Sequence, residues 1–308
     1  MSPNPASTPT PALEHASIGA PITRLGVSLF PLYLHQPPGP RITSTGGGGV
    51  HVEEAQDEEV PTLVATNHAP EPLLLVEGET LAGGLQQRTL NVSVLIGPGT
   101  TVEVPVTCVE AGRWGGSREF TGSTGQTSRR VRRAKTAGVR GNLRSRGEKL
   151  SNQSAVWDSV DHELERLRAP SPTRNFADAE AAITRDDKAA AALTDLAGRG
   201  PLPAQCGVVI SHGSRVVAAE LFADHDLLEE QWEPTVRAAL LDAPVKARGR
   251  PSASRALRFV RRMAKAPSLE ADGVDLGRER HIESPRLVGQ ALSWEQRLVH
   301  ASAFALAA

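Results

Sequence analysis

Cysteine is nearly missing from this 308-residue chain, which holds only Cys108 and Cys206. Two thiols cannot build a disulfide framework, and neither sits in a CxxC pair, so a reducing compartment is the simpler setting. Aromatic residues make up only 4%, so a core must rest on Val, Leu, Ile and Ala. No apolar run approaches the roughly 20 residues that span a bilayer. The opening MSPNPASTPTPALEHAS lacks the basic and apolar regions of a signal peptide. A cytoplasmic protein without membrane contact is therefore expected. Excess charge is also lacking: 34 basic residues face 35 acidic ones, for a net charge of −1. Such balance carries no global signal for nucleic acid or membrane. No HExxH or HxH spacing, phosphate loop or nucleophile elbow occurs, so neither metal nor cofactor is assigned.

What remains is 39% hydrophobic and long enough for a sizeable core. Residues 1 to about 20 are rich in Pro, Ser, Thr and Ala and are expected to form a disordered tail. Residues 21–308 are expected to form one domain. Between Val50 and Val109, short strand-like pieces alternate with turn signals, which argues for an antiparallel sandwich or barrel-like core. Asn67-His-Ala-Pro-Glu71 is expected to close a hairpin between two of them. From about 113 to 152 the chain turns Arg/Gly/Ser-rich and is expected to be flexible. Helical periods then dominate, first through Trp157, Val160, Leu164 and Leu167, then over 176–197 and around Leu228–Leu240. Gly207–Ser211 and Val216–Leu221 read as an edge strand pair about a His212-Gly213-Ser214 turn. The class is α+β, with a barrel-like β core and a helical C-terminal half.

The densest functional chemistry lies between Glu77 and Trp114. Glu77, Glu79, Gln86, Arg88 and Asn91 fall within fifteen residues of a Gly-containing segment. Glycine permits close backbone approach, and Arg and Gln supply forked donors for phosphate or ribose oxygens. The bland alternative is a polar hairpin with one solvated face. Downstream, Glu110 and Arg113 stand at a strand end, and Trp114 either stacks on a base or ribose or caps the core. Cys108 shares its strand face with Val102, Val104 and Val106, the core side, where a thiol is inert.

Two basic stretches stand apart. Residues 129–149 carry nine Lys and Arg against Glu148 alone. They suit polyphosphate or a nucleic-acid backbone, or else a solvated loop and helix face. No aromatic is interleaved, so nucleic acid is not expected. The segment Arg255–Met263 is amphipathic, either lying on an anionic surface or docked by its apolar side. The nine histidines are scattered, and none is singled out.

The run Leu73–Glu79, Gly83-Gly84, Gln86, Arg88, Leu90-Asn91, Pro105–Glu110 and Gly112-Arg113-Trp114 resembles a bacterial family. Its members are named for association with ADP-ribosylglycohydrolases and rhodanese-phosphatases. Val156–Val160, Ser171-Pro-Thr, Gly207–Ile210, Glu220–Phe222, Ala291–Trp294 and Leu298–Phe304 extend the likeness over residues 22–304. The resemblance implies handling of ADP-ribose or another NAD-derived nucleotide, with a possible protein partner in an ADP-ribosylation pathway. On that reading Arg88 and Arg113 hold phosphates, Gln86 and Asn91 hold ribose hydroxyls, Glu77 adds a further ligand contact, and Trp114 stacks. Glu79 or Glu110 is the general acid or base if there is chemistry. The alternative is a non-catalytic regulatory or partner-binding protein that uses an Arg-rich surface.

Overall fold

A computed structural model describes residues 11–55, 61–244 and 246–306. Aliphatic and β-branched runs near the two ends of the chain build one nine-stranded antiparallel sheet. Its order is Ser17–Ile18, Val27–Tyr33, Gly207–His212, Arg215–Phe222, Arg297–Ala305, Leu287–Trp294, Arg278–Ser284 and Ser268–Asp272, with Ile22–Arg24 added beside Val27–Tyr33. The strand pair expected at an edge instead lies mid-sheet. The reason is visible in its residues: both are near-continuously buried, so the pair needs cover on both faces. Alternation divides those faces. Val209, Ala219, Leu221, Ala301 and Ala303 point to the Ala253–Lys265 helix. Val208, Ala218, Phe222 and Phe304 point to the opposite, inner side.

The second sheet is barrel-like, as expected. Its order is Phe120–Gln126, Glu79–Gly83, Arg88–Leu90, Thr101–Cys108, Thr62–Asn67 and Val50–Glu54. A bridge between Glu53 and Glu119, and a 2.9 Å bond from Glu54 N–H to the Arg118 carbonyl, bring its outer strands together. Leu63, Ala65, Leu81, Leu90, Val104 and Val106 fill its interior. The hairpin expected at Asn67 is not formed. Thr62–Asn67 pairs with Thr101–Pro105, whereas Leu73–Leu75 pairs with Val94–Ile96 and, in parallel, with Thr43–Ser44. Buried Asn67 makes the corner, its Nδ2 donating to the carbonyls of Glu71 and Ile96 at 2.9 Å each.

Two expectations of disorder are corrected. Pro11–Glu14 is helical, and Leu13 is fully buried against the sheet and the Ala253–Lys265 helix; residues 1–10 of the expected tail lie outside the described residues. Within 113–152, Phe120–Gln126 is a strand and Arg129–Arg146 a helix of 18 residues. The Ser128 hydroxyl caps that helix by accepting from Val131 N–H, and Gly147 ends it in the left-handed region. Its buried face runs Val131, Arg132, Lys135, Thr136 and Val139. Two cations on that face conceal the apolar stripe by which a helix is recognised. Gln153–Leu167 packs against it, followed by Phe176–Arg185, Asp187–Arg199, His225–Glu230 and Trp232–Leu241. Among the described residues no helix is long and apolar enough to cross a membrane.

Candidate functional site

On the inner face of the nine-stranded sheet Glu220, His300 and Ser302 interrupt aliphatic residues, and Gln290, His281 and Glu279 continue the buried polar row across the neighbouring strands. Glu220 stands opposite Ser302, and Phe222 opposite His300, in the strand register. Glu220, His300 and Ser302 are buried, so each must find a partner inside the protein. The 129–146 helix supplies the cations and the barrel supplies a second carboxylate. Arg132 donates to Glu220 Oε1 at 2.7 Å and to Glu77 Oε1 at 2.9 and 2.5 Å. Lys135 Nζ donates to Glu77 Oε2 at 2.6 Å, and Ser302 Oγ to Glu77 Oε1 at 2.6 Å. The charges balance, two against two. Burial alone would push the Glu77 carboxyl up; the two cations outweigh it and hold it at about 2. Gly78 has φ +82°, and a Cβ there would meet Arg132 Nε at 2.5 Å, so this position must lack a side chain.

His300 extends the network. Its Nδ1 lies 2.8 Å from Ser93 Oγ and its Nε2 2.8 Å from Glu220 Oε1. A hydroxyl, an imidazole and a carboxylate thus stand in line. Ser93 is only 3% exposed, however, and its oxygen already accepts from Glu77 N–H at 3.1 Å. Ser93 is therefore a strut that orients His300 and Glu220, not a nucleophile presented to a substrate.

Glu220 and Arg132 also border a small cavity of about 20 Å³, room for about one water molecule, between the sheet, the Trp232–Leu241 helix and the start of the 129–146 helix. Ile210, Val217, Ala218, Ala238, Ala239 and Phe304 form its apolar wall. Four polar atoms on that wall are buried without a hydrogen-bond partner: Gln126 Nε2, Arg129 Nε, His212 Nε2 and Thr235 Oγ1. Of these, only Arg129 Nε has an ion-pair contact, 3.5 Å from Asp242. Burial, reinforced by Arg129, Arg215 and Arg166, drives His212 down to about 4, so its ring is neutral at neutral pH. Arg129, His212 and Val217 are shared with an adjoining vestibule of about 320 Å³, which Arg215, Lys246 and Arg248 also line. The cationic vestibule, with a few convergent polar atoms at its inner end, has the size and character of a small ligand site.

The residues singled out in the sequence fall into four places. Glu77 belongs to the network above. Glu79 is buried elsewhere, accepting from Thr45 Oγ1 and, at 3.0 Å, from Val76 N–H; burial holds its carboxyl above the ordinary range. Asn91 ties strands together, donating to the Val106 and Lys149 carbonyls at 3.1 Å each and accepting from Thr107 Oγ1 at 2.5 Å. Gln86, Arg88, Glu110, Arg113 and Trp114 do meet, at one end of the barrel. There Gln86 Oε1 accepts from Arg88 Nη1 and from the Cys108 thiol, each at 3.1 Å. Glu110 accepts from Arg113 Nε at 3.0 Å, Gln87 N–H at 3.1 Å and Thr173 Oγ1 at 3.0 Å. These bonds outweigh burial and lower its pKa. Arg113 spends its donors on Glu110 and on the carbonyls of Gly83, Gly84 and Gly115. Arg88 is fully buried, and its Nε and Nη2 lack hydrogen-bond partners. Its guanidinium lies 5.9 Å from the ring centroid of Trp114, which is 55% exposed. Cys108 is buried, and burial pushes its thiol up to about 11.

His212, Glu220 and His300 were not selected from the sequence, and Arg132 and Lys135 were read there only as part of the basic stretch 129–149, whereas both are buried. The available signal was a Glu in Val216-Val-Ala-Ala-Glu220-Leu-Phe and a His in Leu298-Val-His300-Ala, polar residues at inward positions of otherwise apolar strands.

Residues 15–304 match the family model described as the ARG and Rhodanese-Phosphatase-superfamily-associated Protein domain. No curated protein and no solved structure matches the chain. The chain belongs to that family.

Proposed function

We propose that this family member binds an anionic NAD-derived nucleotide of the ADP-ribose class in the cationic vestibule lined by Arg129, His212, Arg215 and Arg248, which opens onto the small cavity beside Glu220 and Arg132. The observation that carries the reading is the meeting, on one wall, of four buried polar atoms without hydrogen-bond partners and a mouth lined by arginine and lysine. Unpaired buried polar atoms are unfavourable by roughly 1–3 kcal/mol each, so a ligand that satisfies them gains that energy on binding. A ribose hydroxyl suits the neutral His212 ring, which borders the vestibule. Phosphates suit Arg129, Arg215 and Arg248 in the vestibule. The family's association with ADP-ribosylglycohydrolases supports the ADP-ribose class. The Ser93–His300–Glu220 line keeps Glu220 oriented toward the cavity.

A second reading places the nucleotide at the barrel end. It is favoured by Arg88, whose Nε has no hydrogen-bond partner and whose Nη2 has only a 3.8 Å ion pair with Glu54, near exposed Trp114. There Trp114 stacks on the base, Gln86 and Arg88 take ribose or phosphate oxygens, and Glu110 is the nearby carboxylate. Calorimetric titration with ADP-ribose and AMP separates the readings. The cavity reading expects ADP-ribose to bind more tightly than AMP, and His212→Leu to weaken it at least about tenfold, or 1.4 kcal/mol. Loss of binding in Trp114→Ala with His212→Leu unaffected would move the site to the barrel end. No heat with either nucleotide would sink both and favour the partner-binding alternative.

A further inference from the structure

The net charge of −1 conceals a one-sided face. The Ala253–Lys265 helix turns Ala256, Phe259, Val260 and Met263 onto the large sheet. Arg255, Arg258 and Arg262 follow one another at i, i+3 and i+7 and stand together on the flank of that buried stripe. Arg215 and Arg286, beside two strand turns, line with them a groove of about 500 Å³. No carboxylate lines the groove among the described residues. None of the five arginines has an ion pair with a described residue; Arg255 gives one bond, to the Ser214 carbonyl at 3.0 Å. A concave surface of one sign on a neutral protein concentrates its field at that spot.

We propose that this groove binds the phosphodiester backbone of a single-stranded nucleic acid. Seven residues of helix rise place Arg255 and Arg262 about 10 Å apart along the axis. A stacked strand presents a phosphate about every 3.4 Å, so the run of three helix arginines spans about three phosphate intervals, or four phosphates. Guanidinium forks grip phosphate oxygens in pairs, and lysine is absent from the groove. The floor is apolar, with Val216 and Phe259, and receives bases that a duplex would keep inside its stack. The stretch 129–149, on which nucleic acid was not expected, contributes none of these arginines. Arg215 lines both the groove and the vestibule, but Arg258 and Arg262 lie outside the cavity and the vestibule, so substitutions at those two test this proposal apart from the nucleotide reading.

Fluorescence anisotropy with a labelled oligouridylate of roughly twelve nucleotides, titrated at several salt concentrations, tests it. The log–log salt slope is expected between about −2 and −3.5, at about 0.7 per phosphate. Arg258→Glu with Arg262→Glu should weaken binding at least about tenfold and flatten the slope by roughly 1.4. Arg185→Glu with Lys188→Glu, exposed and distant in sequence, should leave both unchanged. Thermal unfolding of each variant should match the wild type. Absence of binding at about 50 mM salt, or equal loss in both double variants, would overturn the proposal. So would binding of inorganic polyphosphate or polyglutamate without the oligonucleotide.

Discussion

Replacing Lys135 with methionine tests whether the buried charges stand together. The ammonium is fully buried and has two partners, Glu77 Oε2 at 2.6 Å and the Asn91 carbonyl at 2.9 Å. Methionine keeps much of the volume and removes the charge. Arg132 is then left to neutralise both Glu77 and Glu220, and one negative charge remains uncompensated in the interior. Breaking a buried pair in this way is expected to lower stability by about 3–5 kcal/mol. At about 2 °C per kcal/mol for a chain of this size, Tm falls by roughly 6–10 °C. Adding Glu77→Gln restores neutrality, so Lys135→Met/Glu77→Gln is expected to be more stable than the sum of its single variants by about 1–3 kcal/mol. Glu77→Gln alone is expected to be milder than Lys135→Met, since burial already draws the Lys135 pKa down and its ammonium can release a proton. Urea and thermal unfolding at neutral pH measure all three. A loss below about 1 kcal/mol in Lys135→Met, or strict additivity in the double variant, would refute the account of a balanced network.

Other consequences follow from the same interior. The Glu77 carboxyl titrates at about 2 in the folded chain against an ordinary 4.5. Its contribution of roughly 3 kcal/mol is present above pH 4.5 and lost as pH falls toward 2, so Glu77→Gln should flatten the acid limb of the urea midpoint. Glu180 is opposite in sign: burial and neighbouring Glu233, opposed by Arg237, raise it from 4.5 to about 8. Its folded form holds a proton the unfolded chain has shed, so stability declines as pH rises from 4.5 to 8. Glu180→Gln should add about 2–4 kcal/mol at pH 7 and nothing below pH 4, which pH-dependent thermal unfolding reads directly. Cys108 and Cys206, each pushed up to about 11 by burial, should resist iodoacetamide at pH 8 in the native protein and react on unfolding. Rapid native labelling of Cys108, seen by mass spectrometry, would contradict its placement.

The class and the barrel-like segment were legible because strand alternation and turn residues are local signals. Thr101–Cys108 and Leu287–Ala305 show them plainly. The 129–146 helix was not legible, because its inward residues include Arg132 and Lys135, and a pattern built on apolar periodicity scores them as solvent-facing. Their partners, Glu77 and Glu220, lie 55 and 88 residues from Arg132, a pairing that only the tertiary fold reveals. The density of polar groups between Glu77 and Trp114 was visible, but its meaning divided. Glu77 turned to the central network, Asn91 became a strand tie, and Gln86, Arg88, Glu110, Arg113 and Trp114 gathered at the barrel end. His212 gave no sequence signal beyond its turn; its free Nε2 matters because the Trp232–Leu241 helix closes a cavity over it.

The most direct test of the central claim is a histidine-selective ¹⁵N NMR titration of the full chain with ADP-ribose, with His212 assigned by His212→Gln. The cavity account predicts that the His212 resonances move on binding while those of the half-exposed His51, which lines neither the cavity nor the vestibule, stay in place. Unmoved His212 resonances at saturating ligand would contradict it.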